Sequence, residues 1–434
     1  MTTKKRFVAL LASFAFVATA CGGGASPAPT DAPEATPEVT PEVTEAAFPT
    51  GDFALTLWTK EGEGDGSLQY VESLAEAYTA LHSNVTFEVV NKDVETLRED
   101  FQNTGLGGDA PELLWTVADH VGPFTAADLI LPLDDMVDVN TFVPAAAAAV
   151  TADGTLWGAP VSFGNQLMLY WNKDIAGEDA PADSDAWVEA AKGFTTGDQY
   201  GLTFNQTESF WLVPFLGGFG GSVFDADGVT PTLNTDAMTG ALQFMYDLKY
   251  TDKVTPAEDT YDTADALFKE GKAAYIINGD WTLGAYAAAD VLGDKLGVGP
   301  LPMITGHEDP HPYIAGAFLM VSKAVGDDAD TKTVVSDFLK FATATEQQIG
   351  IVETLKRLPG NAEAIADPIV TDDPLLAGAA AAAQKGVPQP TNLEMRCVFD
   401  SMTAGVRDLF TGNSDIAGIA ETMQTSAETC ISQL

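Results

Sequence analysis

Residues 53–58 (FALTLW) form a short apolar run with the character of a strand. Leu68, Val71, Leu74, Ala75, Tyr78 and Leu81 then recur at helical spacing, and residues 85–90 (VTFEVV) read as a second strand. A strand, a helix and a strand of these lengths predict a right-handed βαβ unit and hence a parallel sheet. Further strands are predicted at 110–116 (APELLWT), after a Gly-Asp-Ala-Pro turn, and at 167–171 (LMLYW). Residues 262–269 have helical character, and 273–277 (AAYII) return to a strand pattern. From Asp330 onward the pattern is mostly helical, broken at Pro359 and around Pro388 and Pro390. The pattern gives an α/β class with a helical C-terminal part.

The first forty-odd residues follow other rules. Lys4, Lys5 and Arg6 precede an apolar stretch at 7–17, followed by Ala18, Thr19, Ala20 and Cys21. A stretch this short is an export signal rather than a membrane span, which needs about 20 apolar residues. Its end resembles a bacterial lipobox with Cys21 as the lipidation site, although Ala18 stands where leucine is more usual. Cleavage without lipidation stays open on that account. Residues 22–49 are rich in Gly, Ala, Pro, Thr and Glu, with the near-repeat TPEVTPEVTE, and read as an extended, solvated tether. The expectation is an extracytoplasmic protein, lipid-anchored to the cell membrane at the cell surface or in the periplasm.

Composition narrows the function. With 63 acidic against 21 basic residues and a net charge of -42, the chain is unsuited to nucleic acid or to broad docking on anionic lipid. Four histidines and three cysteines leave no structural zinc cluster. No HExxH, GxSxG or GxxxxGK occurs, and the Asp225-Ala226-Asp227-Gly228 segment is too short for a calcium loop and reads as a turn. No metal, cofactor or catalytic residue is therefore expected. Beyond Cys21, Cys397 and Cys430 are expected to form one disulfide.

The order LTLWTKEG (55–62), GDAPELLW (108–115), LYWNKD (169–174), FNQTESFW (204–211) and ADALFKEGKAAYIINGDW (264–281) resembles extracellular solute-binding family 1. The most specific piece is FxxGKAAxxINGxW, ending at Trp281, combined with the NKD segment. The resemblance covers nearly the whole body. It implies a two-lobed periplasmic-binding-protein fold of type II, each lobe a sheet flanked by helices, with a maltose-like sugar in the cleft between them. Crossovers fall near 162–165, 300–316 and 359, giving an N-terminal lobe of 50–163 plus 312–358 and a C-terminal lobe of 164–311 plus 359–434. The implied function is a non-enzymatic, monomeric substrate-binding component of an ABC importer, with permease subunits as partners.

A pyranose presents apolar C–H patches that suit aromatic faces and hydroxyls that donate and accept. Trp281, with Asp280 beside it, follows a strand and a turn and occupies the position that the family uses to stack on sugar. The alternative is a core tryptophan at a helix start capped by Asp280. Glu208, Phe210 and Trp211 match the segment whose glutamate bonds hydroxyls and whose aromatic two residues later stacks; a plain helix start is the alternative. Asn165 stands where the family pattern has a glutamate, and Asp119 and Trp115 match an aromatic-plus-aspartate segment, with the tryptophan shifted by one. That shift would turn Trp115 to the other face of its strand and into the core. Gly62 and Glu63 replace an Asp-Lys pair. Phe399 and Arg396 fall near a stacking position at the C-terminal end, where they either line the site or serve the core and a surface ion pair.

Two other functions remain open on sequence. A glycoside hydrolase would need two carboxyls at a defined separation, such as Glu208 and Asp280. The same fold would bind a polyamine or a glycerol phosphate ester instead; phosphate calls for an Arg or Lys cluster, polyamine for carboxylates around aromatics.

Overall fold

The computed structural model describes residues 48–64, 66–107 and 110–434. The export signal, Cys21 and the tether up to residue 47 lie outside the described residues.

The chain opens with β1 (Phe53–Thr59), α1 (Ser67–Leu81), β2 (Val85–Asn91), α2 (Val94–Gly107) and β3 (Leu113–Thr116). It continues through β4 (Ala159–Ser162), β5 (Leu167–Asn172), α3 (Ser184–Phe194), β6 (Tyr200–Phe204), α4 (Tyr261–Lys269), β7 (Ala273–Gly279) and β8 (Leu296–Gly299). Then follow β9 (Ala317–Val321), α5 (Ala329–Ala342), α6 (Thr345–Leu355), α7 (Pro374–Ala383), α8 (Glu394–Phe410) and α9 (Ile416–Ile431). The first sheet has the order β2-β1-β3-β9-β4 and the second β8-β5-β7-β6.

The βαβ reading of the first elements holds, with β1 parallel to both β2 and β3. Val71, Leu74, Ala75 and Tyr78 of α1 are buried, while Leu81 at its last turn is 65% exposed because the helix has by then run past the core. The sheets are mixed rather than wholly parallel. β9 runs antiparallel to β3 and β4, and β5 antiparallel to β7 and β8. A chain that leaves one sheet for the other and returns is not bound to the parallel sense that a βαβ crossover imposes. The strand expected from residue 110 begins only at Leu113, after Pro111, which has no N–H to give to a ladder.

Strand alternation assigns the apolar side chains to two faces of the second sheet. Leu167, Leu169 and Trp171 of β5 pack with Tyr275 and Ile277 of β7 on one side, Met168 and Tyr170 with Ile276 on the other. The first sheet has its own core, in which Leu57, Leu113 and Leu319 meet Tyr78, Phe101 and Phe338 from α1, α2 and α5. Cys397 and Cys430 form a disulfide that joins α8 to α9, with Cα atoms 5.5 Å apart.

Two segments, 163–166 and 300–316, carry the chain between the sheets, and a third, 356–360, joins α6 to the helices that follow; the three are hydrogen-bonded to one another. Phe163 N donates to Leu358 O (2.8 Å), while the N–H groups of Ala315 and Gly316 both donate to Gly164 O (2.9 and 3.0 Å). Gly164 has φ of 136°, and an added Cβ there would fall 2.4 Å from Asp280 Oδ2. Only glycine fits this position.

Leu319→Ala, on an interior strand of the first sheet and 0% exposed, is expected to lower unfolding stability by about 2–5 kcal/mol. Val139→Ala, at a 48%-exposed position, should stay within about 0.5 kcal/mol. Urea titrations of the two variants check the pair; equal midpoints would contradict the assignment of the core.

Candidate functional site

Two residues past β1 a buried carboxylate gathers partners from distant parts of the chain. Glu61 is 3% exposed; its Oε2 accepts from Arg357 Nη1 at 2.8 Å, and its Oε1 accepts from Lys60 Nζ (2.8 Å) and Trp115 Nε1 (3.0 Å). Burial pushes its carboxyl pKa up, but the charges and hydrogen bonds of Arg357 and Lys60 outweigh it and hold the group well below the usual carboxylate range. Arg357, 4% exposed, sits just after α6. The ion pair therefore clamps the end of β1 to the segment that follows α6.

Asp280 opposes it. Its Oδ2 accepts from Asn165 N (3.1 Å) and its own N–H donates to Gln166 O (3.1 Å), so that the turn after β7 is stapled to the first crossover. Asn165 takes the left-handed conformation, φ 58°, that this staple requires. Burial raises the Asp280 carboxyl to about 6, against the lowering influence of Arg357 and the Asn165 amide.

Aromatic rings line one side. Trp281, at the start of the short helical turn after β7, donates from Nε1 to Tyr261 Oη (2.9 Å) and lies 6.3 Å from Phe210. Phe210 lies 6.5 Å from Tyr313, and Tyr313 meets Phe399 edge-on at 6.2 Å. Trp281, Phe210 and Phe399 are half-buried, so each keeps an accessible face; Tyr313 is buried behind them. Carboxylates stand at the rim. Glu208 is exposed and accepts from Asn205 Nδ2 at 2.9 Å; desolvation by the surrounding walls, with Asp93 and Glu95 nearby, raises its carboxyl. Asp119, in the turn after β3, is raised to about 6 by burial and by Glu95.

Five sequence-predicted residues hold other positions. Trp115 is 2% exposed and serves as a core wall and a donor to Glu61, as its strand register demands. Trp211 is buried and anchored by Nε1 to Ile277 O (2.9 Å), behind Phe210. Asp280 is a buried staple rather than a group open to hydroxyls. Glu63 is exposed in the loop, and Glu61, two residues earlier, is the one that turns inward. Arg396 is engaged with carboxylates, Glu95 across the seam and Asp400 on its own helix. Trp281, Phe210, Phe399, Glu208, Asp119 and Asn165 remain together around the region between the sheets. Glu61, Arg357, Tyr261, Tyr313 and Glu95 were not singled out by sequence. A glutamate directly after a strand beside a lysine was a signal for the first, whereas nothing local marks Arg357, 296 residues away.

Asp119, Asp280 and Asp259, the last raised to about 7 by burial despite accepting from Thr203 Oγ1 and Phe204 N, share one consequence. Their folded-state pKa values exceed the unfolded value of about 3.9, so the folded state binds more protons between pH 4 and 7 and stability grows as pH falls through that window. Melting temperature should therefore rise from pH 8 to pH 5.5, with a smaller rise in Asp259→Asn; a steady fall over that interval would contradict it. Arg357→Ala, which leaves Glu61 charged, buried and short of its main partner, is expected to cost about 3–5 kcal/mol in a denaturant titration.

The family profile described as bacterial extracellular solute-binding protein matches residues 73–378. The maltotriose-binding protein of Pyrococcus abyssi is 26% identical over 368 residues, covering 82% of this chain and 78% of its own. The galactooligosaccharide-binding protein of Bacillus subtilis is 23% identical over 393 residues, 88% of this chain and 89% of its own. Among solved structures, the maltose/maltodextrin-binding domain MalE of Bdellovibrio bacteriovorus, bound to maltotriose, superposes with a TM-score of 0.81 at 33% identity, covering 87% of this chain and all of that one. These relatives are solute-binding proteins rather than enzymes, and their two-lobed architecture is that of the two sheets described above. The chain belongs to the bacterial extracellular solute-binding proteins.

Proposed function

We propose that this protein captures a maltose-like oligosaccharide between its lobes and delivers it to the permease of an ABC importer. The observation that carries the reading is the file of half-buried rings, Trp281, Phe210 and Phe399, with carboxylates and an amide (Glu208, Asp119, Asn165) around them. Rings present apolar faces to sugar C–H patches, and the polar groups satisfy hydroxyls in a site that would penalise any left unpaired. Maltotriose in the Bdellovibrio structure and in the name of the Pyrococcus relative supports this class of ligand. The galactooligosaccharide relative shows that related chains are named for other glycans.

The proposed rigid bodies are 50–163 plus 312–358 and 164–311 plus 359–434, joined by the three hydrogen-bonded segments. Closure brings contacts from both bodies onto one ligand and thereby favours the closed state. We further propose that the protein acts as a monomer outside the cytoplasm, held by a lipid on Cys21 through the tether. No helix among the described residues is long and apolar enough to cross a membrane. A second reading rests on Glu208 and Asp119, whose carboxyls are raised first by burial and then by the charge of nearby Glu95, joined at Glu208 by Asp93; such a cluster would welcome a cation such as a polyamine.

Isothermal titration with maltotriose, a galactooligosaccharide and spermidine separates the two. Maltotriose is expected to bind, and at about 100 times its Kd to add about 2.7 kcal/mol to stability. Trp281→Ala should weaken it at least about 10-fold, equivalent to about 1.4 kcal/mol. Spermidine binding with no heat from either sugar would replace the oligosaccharide by the cation.

A further inference from the structure

Arg396 lies on α8, which packs on the second sheet's core, and Glu95 lies on α2, which packs on the first. Arg396 Nη1 donates to Glu95 Oε2 at 2.6 Å, although 301 residues separate the two in sequence. The same oxygen accepts from Arg98 Nε at 3.2 Å, and Arg396 is held in place from its own helix by Asp400, at 2.7 Å from Nη2. The guanidinium is thus positioned between one carboxylate on each lobe.

The seam around this pair is closed down to backbone contact. An added Cβ at Gly122, in the short helix after β3, would fall 2.1 Å from Thr391 O and 2.9 Å from Asn392 C, just ahead of α8. Beside the pair lies a cavity of about 10 Å³, lined by Asp119 and Pro123 on one side and Met395, Arg396 and Phe399 on the other. That is room for one water at most. The neighbouring Cys397 turns into the core and bridges α8 to α9, so the helix that presents Arg396 is braced from behind.

We propose that Arg396 and Glu95 form an interlobe latch, positioning residues that set how long the closed state holds its ligand without touching the ligand. The proposal rests on the reading that the lobes close on a solute. Because the pair joins groups on different lobes, its favourable energy belongs to the closed state alone, and anything that favours the closed state slows ligand release. Residues at such a seam act on dissociation and on its response to salt.

The test uses the full chain and three variants, Arg396→Gln, Glu95→Gln and the double substitution, in stopped-flow release of maltotriose. Each single variant is expected to release about 3- to 5-fold faster than the parent, the scale of a partly exposed ion pair, with association little changed. The double variant should be no faster than either single one, and only the parent's release should quicken with salt. Single-variant effects that multiply in the double variant, or release rates equal to the parent's, would overturn the latch. Amide hydrogen exchange in ligand-free protein gives an independent reading if maltotriose fails to bind, which would count against the sugar and not the seam. Loss of protection at 120–126 in each single variant supports the latch, and unchanged protection overturns it.

Discussion

A buried carboxylate must keep its partners, and Glu61 has drawn partners from distant parts of the chain. Removing one charge from such a pair costs more than the pair itself contributes, because the survivor is left in a medium that cannot solvate it. Arg357 is thereby fixed in the segment after α6, Trp115 is oriented within the first core, and the end of β1 is tied to both. Two residues beyond Arg357, Pro359 bridges to Ser162, so the same constraint reaches the first crossover. Asp280 completes the arrangement from the second sheet by taking the Asn165 amide.

The consequence is a division of labour. Charges at the crossovers are buried and structural, and the groups that keep access to solvent are mainly aromatic faces and rim carboxylates. Trp211 and Tyr313 back the more accessible Phe210 and Phe399, and Tyr261 fixes the indole of Trp281 by its nitrogen. Rings locked in this way would lose little freedom in the proposed binding of a sugar, which would favour affinity. The Arg396–Glu95 contact lies at one end of this row, next to Phe399, and joins the elements that carry the row to the opposite lobe.

Much of the fold was legible in the sequence because it rests on periodicity. The α1 stripe and the strands around residues 53–58, 167–171 and 273–277 are local patterns, and their elements formed within a residue or two of the expected bounds. Strand sense was not legible, since antiparallel β5 and β9 follow from where the chain returns. Among tryptophans, Trp115 lies within β3 and is wall, whereas Trp281 lies in the turn after β7 and is half-open; the one-position shift of Trp115 from the family pattern was the local sign that set it apart. The distant partners of Arg396 and Arg357 were illegible for another reason. They are 301 and 296 residues away, and a basic residue in an acidic chain carries no local mark of which remote acid it meets.

Small-angle X-ray scattering of the body, with and without saturating maltotriose, tests most directly the claim that two lobes close on an oligosaccharide. The radius of gyration should contract on adding maltotriose, and the sugar should be recovered intact. An unchanged scattering curve at a concentration where titration shows the site to be filled would contradict it.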